Sequence, residues 1–166
     1  MARRRSGRVY RNASVASLAV LCSGQGTNLQ AILDACRSRR LKAQVAVVIS
    51  DRPEAYALRR ATRAGVASQY LNPHEHSTRA AYERALIAHL KPYRIQLVCL
   101  AGFMRILSPV FLRAFCKRIL NIHPALLPAF PGAHAVRDAL SWGAKVTGVT
   151  VHLVDEQVDH GPIVLQ

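Results

Sequence analysis

Residues 120–132 read Leu-Asn-Ile-His-Pro-Ala-Leu-Leu-Pro-Ala-Phe-Pro-Gly, and this stretch is the most informative one for the fold. It opens with apolar residues typical of a short buried strand. Because strand side chains two residues apart share a face, Asn121 and His123 are expected to address one point in space. Pro124 has no N–H for a strand ladder and ends the strand. An amide beside an imidazole suits stabilising and protonating an oxyanion. The alternative is a structural Asn and His at a strand end.

Around this stretch, apolar segments of strand length alternate with segments of helical periodicity. The predicted strands are 17–22, 43–50, 66–71, 95–102, the strand carrying Asn121 and His123, a long β-branched strand at 145–154 and a last one at 163–165. The predicted helices are 29–39, 54–64, 78–90, one starting at Ser108, and 134–142. The alternation predicts an α/β fold, with right-handed βαβ units in a doubly wound, mostly parallel sheet. Ligands bind beyond the carboxyl ends of such strands.

A glycine-rich loop follows the first predicted strand and precedes a helix. It reads Ser-Gly-Gln-Gly-Thr-Asn over residues 23–28. Free backbone N–H groups at such a loop and helix start suit an anion, typically a phosphate. The common nucleotide motifs are absent, because Leu29 stands at the third glycine position and the P-loop Lys is missing. A tight turn into a helix cap is the alternative.

Composition restricts the function classes. The chain has 166 residues, 51% of them apolar, with no apolar run approaching the ~20 residues of a membrane span. Its net charge of +14 comes from 23 basic and 9 acidic residues. The charge is scattered apart from Arg3–Arg5, and no nucleic-acid-binding motif is visible. We therefore expect neither a nucleic-acid nor a membrane partner, and expect the charge to attract anionic substrates.

Cysteine spacing and the basic start of the chain bear on location and domain organisation. The four cysteines lie far apart without a C-x-x-C pair, so no metal is expected and a reducing compartment, the cytoplasm, fits best. Residues 1–16 are expected to form a basic, disordered tail, and 17–166 a single domain.

Several motifs, taken together and in order, resemble the folate-dependent formyltransferase family, in particular the phosphoribosylglycinamide formyltransferases. They are residues 22–32 (CSGQGTNLQAI), 100–107 (LAGFMRIL), 120–124 (LNIHP), 126–128 (LLP), and Asp155-Glu156 with Asp159-x-Gly161. The resemblance covers everything after the basic tail. It implies a Rossmann-like formyltransferase fold and formyl transfer from 10-formyltetrahydrofolate to the amine of phosphoribosylglycinamide, in purine biosynthesis. It also implies a monomer or homodimer without a metal.

The resemblance also implies roles for individual residues. The ribose phosphate is expected at Gly26, Thr27 and Asn28. The folate is expected at Arg79, Met104, Arg105, Ile106, Leu107 and Asn121. Asn121, His123 and Asp159 match the catalytic trio, in which Asn121 donates to the oxyanion and Asp159 keeps His123 cationic. Only the resemblance distinguishes Asp159 from an ordinary turn residue.

The chain also departs from the family pattern. Ala125 stands where the family often has Ser, and His160 where it often has Gly. Family members continue well beyond the last predicted strand, so a missing C-terminal part is expected. Two alternative enzymes are a formyltetrahydrofolate hydrolase and a methionyl-tRNA formyltransferase, although the additional domain of each is not seen. A third alternative is a folate- or anion-binding remnant without activity.

Overall fold

A computed structural model describes residues 15–166. Residues 1–14 of the predicted basic tail lie outside the described residues, whereas Ala16 already belongs to the first strand. The strands are β1 Ala16–Cys22, β2 Ala43–Ser50, β3 Ala67–Tyr70, β4 Leu97–Leu100, β5 Ile119–His123, β6 Thr150–Leu153 and β7 Ile163–Leu165. The helices are α1 Thr27–Arg37, α2 Tyr56–Arg63, α3 Arg79–Leu90, α4 Pro109–Ala114 and α5 Ala135–Trp142. Short 3-10 turns lie at Pro73–Glu75 and Lys91–Tyr93.

The seven strands form one sheet in the order β3-β2-β1-β4-β5-β6-β7. Strands β1 to β5 pair in parallel, whereas β6 runs antiparallel to both β5 and β7. Strand order reverses between β1 and β4, which is where the topology of such sheets leaves a crevice for ligands. The predicted doubly wound, mostly parallel α/β sheet is confirmed.

Two apolar clusters, one on each face of the sheet, hold the helices in place. Leu29 and Leu33 of α1 and Ala57 and Ala61 of α2 pack on one face. Leu86 of α3, Phe111 of α4 and neighbouring residues pack on the other. The predicted helix starts are also confirmed, because the Thr78 and Ser108 hydroxyls accept the N–H groups of Ala81 and Val110. None of the helices within residues 15–166 is long and apolar enough to cross a membrane.

The predicted strand over 145–154 is wrong in length. Only Thr150–Leu153 pairs with neighbouring strands, through β5 on one side and β7 on the other. Val146 and Val149, which suggested a longer strand, are exposed. A β-branched sequence favours an extended backbone, but without a partner strand it forms no ladder. The strand predicted at 95–102 is likewise shorter. It ends at Leu100, and Ala101 and Gly102, which follow it, line the crevice.

We predict that Leu86→Ala lowers the free energy of unfolding by about 2–5 kcal/mol, because the side chain is fully buried on α3. The matched control is Leu140→Ala on α5, whose side chain is 74% exposed and whose loss is expected to cost less than about 0.5 kcal/mol. Urea unfolding followed by circular dichroism measures both. Equal costs at the two positions would contradict this packing.

Candidate active site

The crevice lies at the carboxyl ends of β1 and β4, where the strand order reverses. A cleft of about 340 Å³ is lined by Ser23, Gly24, Gln25, Gly26, Thr27, Asn28, Arg52, Ala101, Gly102 and Met104. The next strand, β5, pairs Asn121 with Leu100, the residue just before the cleft wall formed by Ala101 and Gly102. The topology therefore places the glycine loop, the segment after β4 and the Asn121 strand on one rim.

The glycine loop has the geometry of an anion cradle. Gly26 precedes α1 with φ 69°, in the left-handed region that only glycine adopts freely. A Cβ there would lie 2.7 Å from the Cβ and 2.8 Å from the Cα of Ala57. The first N–H groups of a helix have no partner within the helix, and no side chain of residues 15–166 caps this one. Gly26, Thr27 and Asn28, predicted to bind phosphate, thus line the cleft with free backbone donors.

The segment from Met104 to Leu107 is fixed at both ends and open between them. The Met104 N–H donates to the Ser23 hydroxyl at 2.9 Å. Beyond Leu107, the Ser108 N–H donates to the buried carboxylate of Glu83 at 2.7 Å, and the Ser108 hydroxyl donates to the same group. The Met104 and Ile106 side chains between these ends are 64% and 60% exposed. The backbone there is held rigid while apolar side chains face solvent.

Arg105 and Arg79, both predicted to contact folate, differ in their surroundings. The Arg105 guanidinium lies 5.3 Å from the ring centre of Tyr82, and its Nη1 lies 3.9 Å from Asp51 Oδ2. Arg79 is exposed at the first residue of α3, outside the residues that line the cleft. Burial and then the Asp51 carboxylate raise the pKa of Tyr82, while Arg105 opposes them.

Cys22 ends β1 just before the glycine loop, where a reactive thiol would matter. Its Sγ donates to the Ile49 carbonyl. Burial, and secondly the charge of Asp51, raise the pKa of this thiol to about 12. Cys22 is therefore a neutral packing residue at physiological pH, and its thiolate is not available as a nucleophile.

Asp159 lies between the other two members of the predicted trio. Its Oδ2 is 3.3 Å from His123 Nδ1 and accepts the Gly132 N–H at 2.8 Å. Its Oδ1 accepts from Asn121 Nδ2 at 3.2 Å. All three side chains therefore meet, although Asp159 is far from the other two in sequence. The backbone of Asp159 has φ 51°, an uncommon conformation that concentrates at functional sites.

The imidazole of His123 lies between a main-chain carbonyl and a carboxylate. The side chain is buried, and Nε2 lies 2.8 Å from the Phe130 carbonyl oxygen, which can only accept a hydrogen bond. Nδ1 lies 3.3 Å from Asp159 Oδ2, so the ring has an oxygen acceptor beside each of its two nitrogens.

His152, which the sequence reasoning missed, completes the network. It lies opposite Asn121 in the antiparallel pairing of β5 and β6 and is buried. His152 Nδ1 lies 3.0 Å from the Leu153 carbonyl oxygen, which can only accept a hydrogen bond, so this nitrogen is the donor. Nε2 lies 3.1 Å from Asn121 Nδ2. The alternation of residues 149–154 placed His152 on the same face as Thr150, and that pattern was the only indication of its position.

The two acceptors of Asn121 lie close together on one side of its amide. Asp159 Oδ1 and His152 Nε2 are 3.5 Å apart, so they subtend an acute angle at Asn121 Nδ2. The two N–H groups of the planar amide can each serve one of these acceptors. The amide oxygen cannot take this position, because it would face the carboxylate.

Comparison with known proteins agrees with the family resemblance of the sequence motifs. The sequence model described as formyl transferase matches residues 16–166. Phosphoribosylglycinamide formyltransferase of Escherichia coli strain K12 is 46% identical over 150 residues, which are 90% of this chain and 71% of that protein. The trifunctional purine biosynthetic protein adenosine-3 of Drosophila melanogaster is 47% identical over 151 residues, 90% of this chain but 11% of that protein.

A solved structure is similar over nearly the whole chain. Glycinamide ribonucleotide transformylase 1 from Symbiobacterium toebii is 53% identical and superposes with a TM-score of 0.92. The similarity covers 96% of this chain and 75% of that one. Together with the family match across the sheet and the site, it establishes that the chain belongs to the formyl transferase family.

Proposed function

We propose that this chain transfers the formyl group of 10-formyltetrahydrofolate to the amine of phosphoribosylglycinamide. The observation that carries the proposal is the meeting of Asn121, His123 and Asp159 on the rim that also bears the glycine loop. The similarity to proteins named for this reaction agrees with it.

The two substrates match different parts of the rim. The free N–H groups of Gly26, Thr27 and Asn28 suit the phosphate of the ribotide, because a helix N-terminus favours a negative charge. The fixed backbone after Met104, with its exposed apolar side chains, suits a planar ring that needs hydrogen bonds at its edge and apolar contact on its face. Arg79 and Arg105 supply positive charge for the carboxylates of a folate tail.

The chemistry follows from the contacts of the trio. The amine attacks the formyl carbon, and the carbonyl oxygen becomes an oxyanion. The Asn121 amide donates to this oxygen when one of its N–H groups exchanges its present acceptor, Asp159 or His152, for the oxyanion. His123, whose Nδ1 lies 3.3 Å from Asp159 Oδ2, places a positive charge beside it when the ring is protonated. A direct hydrogen bond from His123 Nε2 requires the oxyanion to replace the Phe130 carbonyl, its present acceptor.

Collapse of the oxyanion completes the transfer. The bond between the formyl carbon and N10 of the folate breaks, and the new amide bond to the glycinamide nitrogen remains. One proton passes from the attacking amine to N10, through His123 or through a water. No metal takes part in this scheme.

The defining test is the release of tetrahydrofolate from 10-formyltetrahydrofolate with and without phosphoribosylglycinamide, followed by absorbance. We expect release only with the amine substrate. Release without it would indicate a hydrolase, and no release in either case would indicate a binding protein without activity.

His123→Ala should lower turnover by about 10²-fold or more, as expected for an acid–base group, while His89→Ala on α3 serves as the control.

His152→Phe should lower kcat by about tenfold, because one hydrogen bond that orients the Asn121 amide is lost. His152→Gln should recover most of the rate, since its amide oxygen can accept the same N–H. Steady-state kinetics with both variants, and His89→Phe as control, provide the measurement. A His152→Gln variant as slow as His152→Phe would argue against this orienting contact.

Gly26→Val should raise the KM for phosphoribosylglycinamide by about 10- to 100-fold and change the folate KM far less. The added Cβ would collide with Ala57, and a β-branched residue is strained at φ 69°. Gly143→Val is the matched control, because its φ of 77° imposes similar strain, a Cβ there has open space, and it does not line the cleft. Initial rates with each substrate varied measure the effect. Equal losses for both substrates would remove the glycine loop from phosphate binding.

A further inference from the structure

Helix α2 packs directly behind the glycine loop, on the side away from the cleft. The Ala57 N–H donates to the Gly24 carbonyl at 3.1 Å. The Cα and Cβ of Ala57 fill the space where a side chain at residue 26 would lie. The loop is therefore in close contact with α2 through its backbone.

Arg60, one turn further along α2, makes the strongest of these contacts. Its Nε donates to the Gln25 carbonyl at 2.8 Å, and its Nη1 donates to the Gln30 side chain on α1 at 3.1 Å. The guanidinium also lies 4.9 Å from the ring centre of Tyr56, which limits its movement. One planar group thus links the loop, α1 and α2.

These contacts determine where the loop N–H groups point. In a planar trans peptide, the C=O of one residue and the N–H of the next point in opposite directions. Ala57 holds the Gly24 carbonyl, and Arg60 holds the Gln25 carbonyl, both on the α2 side. The N–H groups of Gln25 and Gly26 are consequently directed away from α2. Within residues 15–166 neither N–H has a protein acceptor, and both residues line the cleft.

We propose that Arg60 is a positioning residue for phosphate binding, which orients the Gly26 N–H through the Gln25 carbonyl without touching the substrate. The proposal rests on the proposed function insofar as the phosphate is that of phosphoribosylglycinamide. Two successive N–H groups turned to one side form a concave anion site, and fixing them in advance removes an ordering cost from binding. A cation on the carbonyl also polarises the peptide and strengthens its N–H as a donor.

The test uses Arg60→Met and the matched control Arg59→Met, which removes the same charge from an exposed neighbour on α2. We expect Arg60→Met to raise the KM for phosphoribosylglycinamide about tenfold, with kcat and the folate KM within about twofold of wild type. Arg59→Met should leave all three parameters within about twofold. Arg60→Lys should be intermediate, since an ammonium keeps the charge but not the fork that bonds both partners.

Repeating the measurement at low and high salt separates orientation from simple attraction, because salt screens only the latter. A ratio of KM values between Arg60→Met and wild type that persists in high salt supports the proposal. Equal effects of Arg60→Met and Arg59→Met, or a ratio that vanishes in high salt, overturn it.

Calorimetric titration of the full chain with ribose 5-phosphate keeps this test separate from the proposed function. If wild type catalyses no transfer, the proposed function fails, and the titration still tests Arg60. Tighter binding to wild type than to Arg60→Met, with Arg59→Met unchanged, supports the positioning role. Equal binding by wild type and Arg60→Met, or no binding by wild type, overturns it.

Discussion

The carboxylate of Asp159 is the group on which the arrangement of the site depends. One oxygen accepts from Asn121, and the other accepts the Gly132 N–H and faces His123. It thereby joins β5, the loop of residues 124–132 that follows it, and the turn after β6. The turn itself needs an uncommon backbone at Asp159 and a glycine at 161, where a Cβ would collide with the Leu153 carbonyl. The turn is already ordered in the folded protein, so the free energy needed to order it is not taken from substrate binding.

The change from parallel to antiparallel pairing at β6 makes this network possible. Parallel strands bring their following loops to one rim, which accounts for the glycine loop and the segment after β4. An antiparallel strand instead sets its own side chains opposite those of its partner, so His152 meets Asn121 directly. Thr150, two residues earlier on the same face, accepts the Leu127 N–H and donates to the Ala125 carbonyl. Strand β6 therefore fixes both the amide and the loop beside it.

Sequence patterns predicted the features that depend on residues close together in the chain. The two-residue spacing of Asn121 and His123, and the glycine loop after a strand, required only local rules. Asp159 entered through the family resemblance, because nothing local distinguishes it from a turn residue. His152 and the buried Glu83 were missed, since their partners are set by register and helix packing. The strand predicted over 145–154 was too long for the same reason: propensity does not specify a partner.

Three side chains fix the backbone that forms the rim. Ser23 accepts the Met104 N–H, Glu83 accepts from Ser108, and Arg60 donates to the Gln25 carbonyl. The Arg60 contact leaves the Gly26 N–H turned toward the cleft, and the other two contacts fix the ends of the segment from Met104 to Leu107. Backbone donors vary little with sequence, so recognition built on them depends on the side chains that orient them. Selectivity between substrates should therefore be sensitive to residues that contact neither substrate, a consequence of using main-chain groups as the binding surface.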